Sequence, residues 1–133
     1  MIERYSRKEI KSIWEDKNRY SIWLQIELAA AEAMEKMNMI PKGVSKKVRT
    51  KAKINVKRIL QIEEKVKHDV IAFLTSITEK VGKDARYLHK GLTSSDVLDT
   101  CFNLQLKQSG KILLKDIDQL LASIKRQAIK HKY

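Results

Sequence analysis

From Val97 to the end of the chain a helical repeat runs on with nothing to stop it. Val97, Cys101, Leu104, Leu113, Ile117, Leu120, Ile124 and Ala128 keep one apolar face, the pattern of a single long helix. Globular helices average about 11–12 residues, so this one is exceptional. A helix of that length needs apolar partners along its whole face, usually in a bundle or coiled coil. Nothing upstream is long enough to accompany it. Its partners are therefore expected from other subunits, or from chain that would follow Tyr133.

The rest of the sequence permits little besides helix. One Pro and four Gly occur in 133 residues, and no alternating β-branched run is bounded by turn residues. With 43% hydrophobic and 33% charged residues the chain has material for a core and is too apolar to be disordered. The fold class is all-α. Cys101 is the single cysteine, which excludes an internal disulfide and a cysteine zinc site. It shares a register with Val97 and Leu104 and reads as a small buried residue in a protein of a reducing, cytoplasmic setting. No apolar run reaches membrane-spanning length, and the first residues lack the apolar core of a signal peptide. The formal charge is +12, from 28 Lys and Arg against 16 Asp and Glu. The basic residues are spread along the chain, with loose clusters at 42–57 and 125–132. That dispersal reads as a solvated surface favourable to anions and not as a nucleic-acid stripe.

Start and stop signals divide the chain further. Ser6 and Glu9 have capping-box spacing before Ile10, Ile13 and Trp14. Asp16 is a plausible cap for a second helix carrying Ile22, Trp23, Ile26, Ala30, Ala33, Met34 and Met37 on one face. That helix must end near Asn38, because Ile40 precedes Pro41 and is pushed away from helical geometry. A short basic helix is expected over about 45–53. Asn55 can cap the next, which buries Ile59, Ile62 and Val66. Asp69 is placed to cap a helix with Val70, Phe73, Leu74, Ile77 and Val81 on its core stripe, stopped by Gly82.

Three polar places remain where chemistry could sit. Thr93, Ser94, Ser95 and Asp96 set hydroxyls and free N–H groups at a helix N-terminus, the positive end of the helix dipole, which suits a carboxylate or phosphate. Ordinary capping by Thr93 or Ser94 fits the same residues; His89, Lys90 and Gly91 just before them add cationic donors and a flexible entry. Lys67, His68 and Asp69 interrupt the chain at another helix start. His68 can orient a ligand, act as acid or base, or simply cap. Arg4 and Tyr5 precede the first helix, where Arg4 could fork onto an anion or be solvated and Tyr5 could stack or be half-buried. His131 lies in the polar tail. No metal-ligand spacing, glycine-rich phosphate loop or nucleophile elbow occurs.

Together these stretches carry a resemblance. Met1-Ile2-Glu3-Arg4-Tyr5-Ser6-Arg7, His68-Asp69-Val70-Ile71-Ala72-Phe73 and Gly91-Leu92-Thr93-Ser94-Ser95-Asp96-Val97-Leu98-Asp99-Thr100 resemble the adenylosuccinate lyases of the fumarase and aspartase superfamily. Ile13-Trp14, Trp23-Leu24, Ile40-Pro41 and Arg58-Ile59 follow in the same order, so the likeness covers essentially the whole chain. The serine-rich motif alone would also suit a carboxymuconate-cycloisomerase-like member; the histidine run and Arg4-Tyr5 narrow it.

The resemblance implies an enzyme that eliminates fumarate from adenylosuccinate, giving AMP, and from SAICAR, giving AICAR, in purine biosynthesis. It implies general base and acid β-elimination with no metal or cofactor, in a cytoplasmic homotetramer. It further implies that Arg4 and Tyr5 contact the nucleotide and that Lys67, His68 and Asp69 line the nucleotide and succinyl pocket. Thr93 and Ser94 would hold a carboxylate, with His89 assisting. The implied domains are an N-terminal helical domain, 1–92, and the first long helix of the central bundle, 93–133. The family's general-acid His and catalytic Ser are expected beyond Tyr133, so the 133 residues alone are expected to be inactive. A basic nucleic-acid-binding module and a helical oligomerisation domain are the alternatives from other classes.

Overall fold

A computed structural model describes residues 2–133; Met1, the first residue of the N-terminal motif, lies outside them. A 3-10 turn at Glu3–Tyr5 leads into helices α1 (Lys8–Ile13), α2 (Asp16–Lys36), α3 (Val44–Lys51), α4 (Val56–Val66) and α5 (Asp69–Val81). A second 3-10 turn, Gly82–Tyr87, precedes α6 (Ser94–Lys130). Among the described residues there is no strand. The all-α expectation holds, and α6 is one unbroken helix of 37 residues.

The core is centred on α2 and α5. Tyr20, Trp23 and Phe73 are fully buried. Trp23 meets Tyr20 edge-on at 5.2 Å and Phe73 edge-on at 5.5 Å, while Tyr20 stacks on Phe73 at 6.0 Å. Such pairs each add about 0.5–1.5 kcal/mol beyond the area they bury. They hold α2 against α5, and so fix where the N-terminus of α5 emerges. Burial pushes the Tyr20 hydroxyl above its ordinary pKa, against the opposing influence of Arg19. Val97, Cys101 and Gln105 bring the first three turns of α6 into the same core. Gln105 Nε2 donates to the Ile13 carbonyl at 2.7 Å, which ties α6 to the end of α1. Cys101 is buried as expected, and desolvation raises its thiol pKa.

Several local expectations need correction. Ser6 and Glu9 form no capping box: α1 starts one residue late for it, behind an Arg7 without a side-chain cap bond. The Ser6 hydroxyl instead donates to the Ile2 carbonyl at 2.8 Å. Asp16 is the first residue of α2 and not its cap; Glu15 holds the cap position, and Asp16 pairs with Arg19 at 3.0 Å. The buried face of α2 is Tyr20, Ile22, Trp23, Glu27, Leu28 and Ala31, whereas Ala33 and Met37 are exposed. A glutamate in the middle of that face is what hid the true stripe. Val66, at the end of α4, is exposed as well.

Other signals act where they stand. Asn55 accepts from the Arg58 N–H at 3.0 Å and caps α4. Gly82 ends α5 at φ +78°, a value a side chain would strain. Beyond Gln105, α6 leaves the core. Leu113, Ile117, Leu120 and Ile124 are each more than half exposed, so the repeat that announced the helix faces solvent over its distal half. Arg7, bonded to Asp116, ties the N-terminal segment to this part of α6.

Candidate functional site

The start of α6 is a true capping box. Thr93 Oγ1 accepts from the Asp96 N–H at 3.4 Å, and an Asp96 carboxylate oxygen accepts from the Thr93 N–H at 2.7 Å. The Thr93 hydroxyl also reaches that oxygen, at 2.9 Å. These bonds hold the Asp96 carboxyl below its ordinary pKa, the Thr93 backbone bond most and then the Thr93 hydroxyl, with the His89 charge adding to them. Capping, one of the two readings of this stretch, is therefore realised by Thr93. The box satisfies the first and fourth N–H groups of the terminus. The second and third, on Ser94 and Ser95, are not bonded within the box and remain available to an acceptor. Ser94 is half-buried and Ser95 exposed.

His89 sits four residues before that cap, in the left-handed conformation at φ +58°. Gly91, at φ +73°, shares the turn, and the Leu92 N–H closes it on the His89 carbonyl at 3.4 Å. What holds a non-glycine residue in this conformation is Glu27. The His89 backbone N–H donates to Glu27 Oε2 at 2.6 Å, and His89 Nδ1 lies 2.7 Å from Oε1. Glu27 is only 1% exposed. A buried carboxylate must be paired and hydrogen-bonded to be tolerated, and both its oxygens are engaged by one residue 62 positions away. Sequence reading missed Glu27. The available signal was an acidic residue at the centre of an apolar helix face, four positions after Trp23.

The other stretch is built differently. The N-cap of α5 is His68 and not Asp69: Nδ1 of His68 accepts from the Ile71 N–H at 3.4 Å. Asp69 is the first helical residue, and its carboxylate accepts from the Val70 N–H at 2.7 Å while lying 3.6 Å from His68 Nδ1. Lys67, immediately before, ends α4 in the left-handed conformation at φ +53°. It borders a shallow hollow with Leu60, Glu63 and Glu64. At the N-terminus Arg4 stacks on the Tyr5 ring, 4.7 Å from its centroid. Tyr5 is 74% exposed, so it is not the half-buried residue that the default reading of the sequence expects.

The site residues thus form three groups. His89 and Thr93–Asp96 are brought together; His68 and Asp69 with Lys67 form a second group, Arg4 and Tyr5 a third. Apart from the two bonds from His89 to Glu27, the side-chain bonds of these residues are to positions within three of them in the chain. All three present donors or ring faces on an exposed or half-buried surface. Among the described residues, no cluster of three or more His, Cys, Asp or Glu is placed to hold a metal, and no helix is long and apolar enough to cross a membrane.

The chain is 45% identical over all 133 residues to the adenylosuccinate lyase of Bacillus subtilis (strain 168), and it spans 31% of that relative's length. Its fold matches the crystal structure of a fumarate lyase from Mesorhizobium sp. BNC1 with a TM-score of 0.86, at 19% identity, over 95% of this chain and 30% of that one. At that identity the likeness concerns the fold alone. A family model described as "Lyase" matches residues 3–133. With the helical architecture, the relative and the family model in agreement across the chain, the protein belongs to this lyase family.

Proposed function

We propose that these residues form the substrate-gripping part of an adenylosuccinate lyase. The reaction is elimination of fumarate from adenylosuccinate, giving AMP, and from SAICAR, giving AICAR. The single observation that carries this reading is the 45% identity to the Bacillus subtilis enzyme along the whole chain. The geometry supports it. An elimination that releases a dicarboxylate needs its anionic groups held still beside an acid and a base, and positioning of this kind can supply a large share of the rate. Two free N–H groups and the Ser94 hydroxyl at the start of α6, with the dipole behind them, suit a carboxylate. His89 stands next to them. Lys67, His68 and Asp69 line the nucleotide and succinyl side in this reading, and Arg4 with Tyr5 meets the nucleotide. The chemistry asks for no cofactor from this chain.

The same reading makes the active protein a cytoplasmic homotetramer, with 93–133 as the first helix of its central bundle. The open apolar face of α6 supports that assembly. The acid and base come from outside these 133 residues, so the chain by itself binds without turning over. Titration with AMP, followed by NMR, is expected to move the resonances of Arg4, His68 and Ser94, and the purified chain is expected to release no fumarate from adenylosuccinate. Unmoved resonances would remove the binding reading, and steady fumarate release would overturn the division between grip and chemistry.

A further inference from the structure

We infer that Glu27 is a positioning residue, which holds the His89 ring with a proton on Nδ1 so that Nε2 is the nitrogen turned to a bound ligand. The inference rests on the proposed function, in that His89 is taken to meet the ligand. Two features of the pair carry it. The carboxylate is buried inside the α2 face, one turn along from Trp23 in the aromatic core, so it cannot swing away to solvent. It also accepts from the backbone N–H of the residue whose ring it faces, at 2.6 Å and 2.7 Å. One side chain therefore sets the turn, the ring plane and the ring tautomer together.

The chemistry follows from what imidazole can do. A carboxylate oxygen accepts and does not donate, so Nδ1 must carry a proton to face it. The second nitrogen is then free. It offers a lone pair to a ligand hydroxyl when the ring is neutral, and an N–H to a carboxylate or phosphate oxygen when the ring is protonated. His89 Nε2 bonds to no group among the described residues, and its side chain is 23% exposed. The other charged neighbours are Asp96, whose carboxylate is already bonded to Thr93, and Lys90, whose Nζ reaches the Met39 carbonyl at 3.3 Å. Glu27 is left as the group that governs the ring.

The test is the nitrogen spectrum of the His89 ring in the 133-residue chain, recorded well above the ordinary histidine titration range. The wild type is expected to carry its single ring proton on Nδ1. Glu27→Gln keeps the volume and one acceptor for the His89 N–H, but turns an amide donor toward Nδ1. The proton is then expected to move to Nε2, and AMP binding near neutral pH to weaken about fivefold, because a hydrogen bond from a charged ring backed by a carboxylate is replaced by one from a neutral ring. A wild-type ring with its proton on Nε2 would overturn the inference, and needs no variant to fold. So would a Glu27→Gln chain with unchanged tautomer, or one whose tautomer changes while AMP affinity does not. If AMP leaves the wild type unmoved, the proposed function fails and with it the ligand role of His89; the ring spectrum then still reports whether Glu27 sets the tautomer.

Discussion

At the start of α5 the histidine turns back on its own helix: His68 spends Nδ1 on the Ile71 N–H, a long 3.4 Å bond that a simpler capping side chain would make better. Before α6 the histidine is held from outside. His89 gives both Nδ1 and its backbone N–H to Glu27, and the capping is left to Thr93 and Asp96. The two stretches look alike in sequence, each with a histidine and an aspartate near a helix start. They differ in who restrains the imidazole. A ring restrained by a local backbone bond is a cap that can also meet a ligand. One restrained by a buried carboxylate from another helix is fixed in orientation before any ligand arrives.

The largest break in this contrast should come from Glu27→Ala. It strands the His89 N–H and opens a gap in the α2 face, and is expected to cost about 3 kcal/mol in urea unfolding. Thr93→Ala removes the cap of α6 and should cost about 1 kcal/mol. His68→Ala, by contrast, is expected to cost less than about 0.5 kcal/mol, since its ring makes one 3.4 Å bond, whereas the Thr93 hydroxyl makes a 3.4 Å bond and a second at 2.9 Å to Asp96. A loss at His68 equal to that at Thr93 would erase the difference between the two starts.

Lys67 sharpens the contrast from the other side. It holds φ +53° with a full side chain, so Lys67→Gly should stabilise the chain by about 0.5 kcal/mol. If Lys67 contacts the ligand, that same variant should bind AMP less tightly, a gain in stability paired with a loss in affinity. The smallest effect is a pH slope. Thr93 holds the Asp96 carboxyl below its ordinary pKa, so the unfolded chain takes up this proton first as pH falls. The stability contributed by the box is complete above the ordinary aspartate range and is lost as acid carries the pH through the lower folded value. Asp96→Asn should flatten that part of the urea midpoint plotted against pH.

What the sequence determined by itself was whatever depends on neighbours a few positions apart. Asn55, Gly82 and the Thr93–Asp96 box act where they stand, because a cap is a bond between residues three apart and a stop is one residue's own backbone. The length of α6 was legible for the same reason, since an apolar repeat without a breaker needs no tertiary information. Even local signals failed where two starts competed by one residue. Arg7, Glu15 and His68 hold the cap positions that Ser6, Asp16 and Asp69 suggested.

Only the tertiary structure decided the rest. The apolar pattern of α2 was interrupted by Glu27, and nothing within the helix explains a carboxylate there. Its partner lies 62 residues on, brought to it by the packing of α2 against the start of α6. Periodicity also could not say that α6 is core in its first three turns and open beyond them, because it reports that a face is apolar and never what covers it. The anion-friendly stretch at 91–96 was visible from the start as a cap or a site. Its own residues closed the cap, and the fold supplied from α2 the buried carboxylate that orients the histidine beside it.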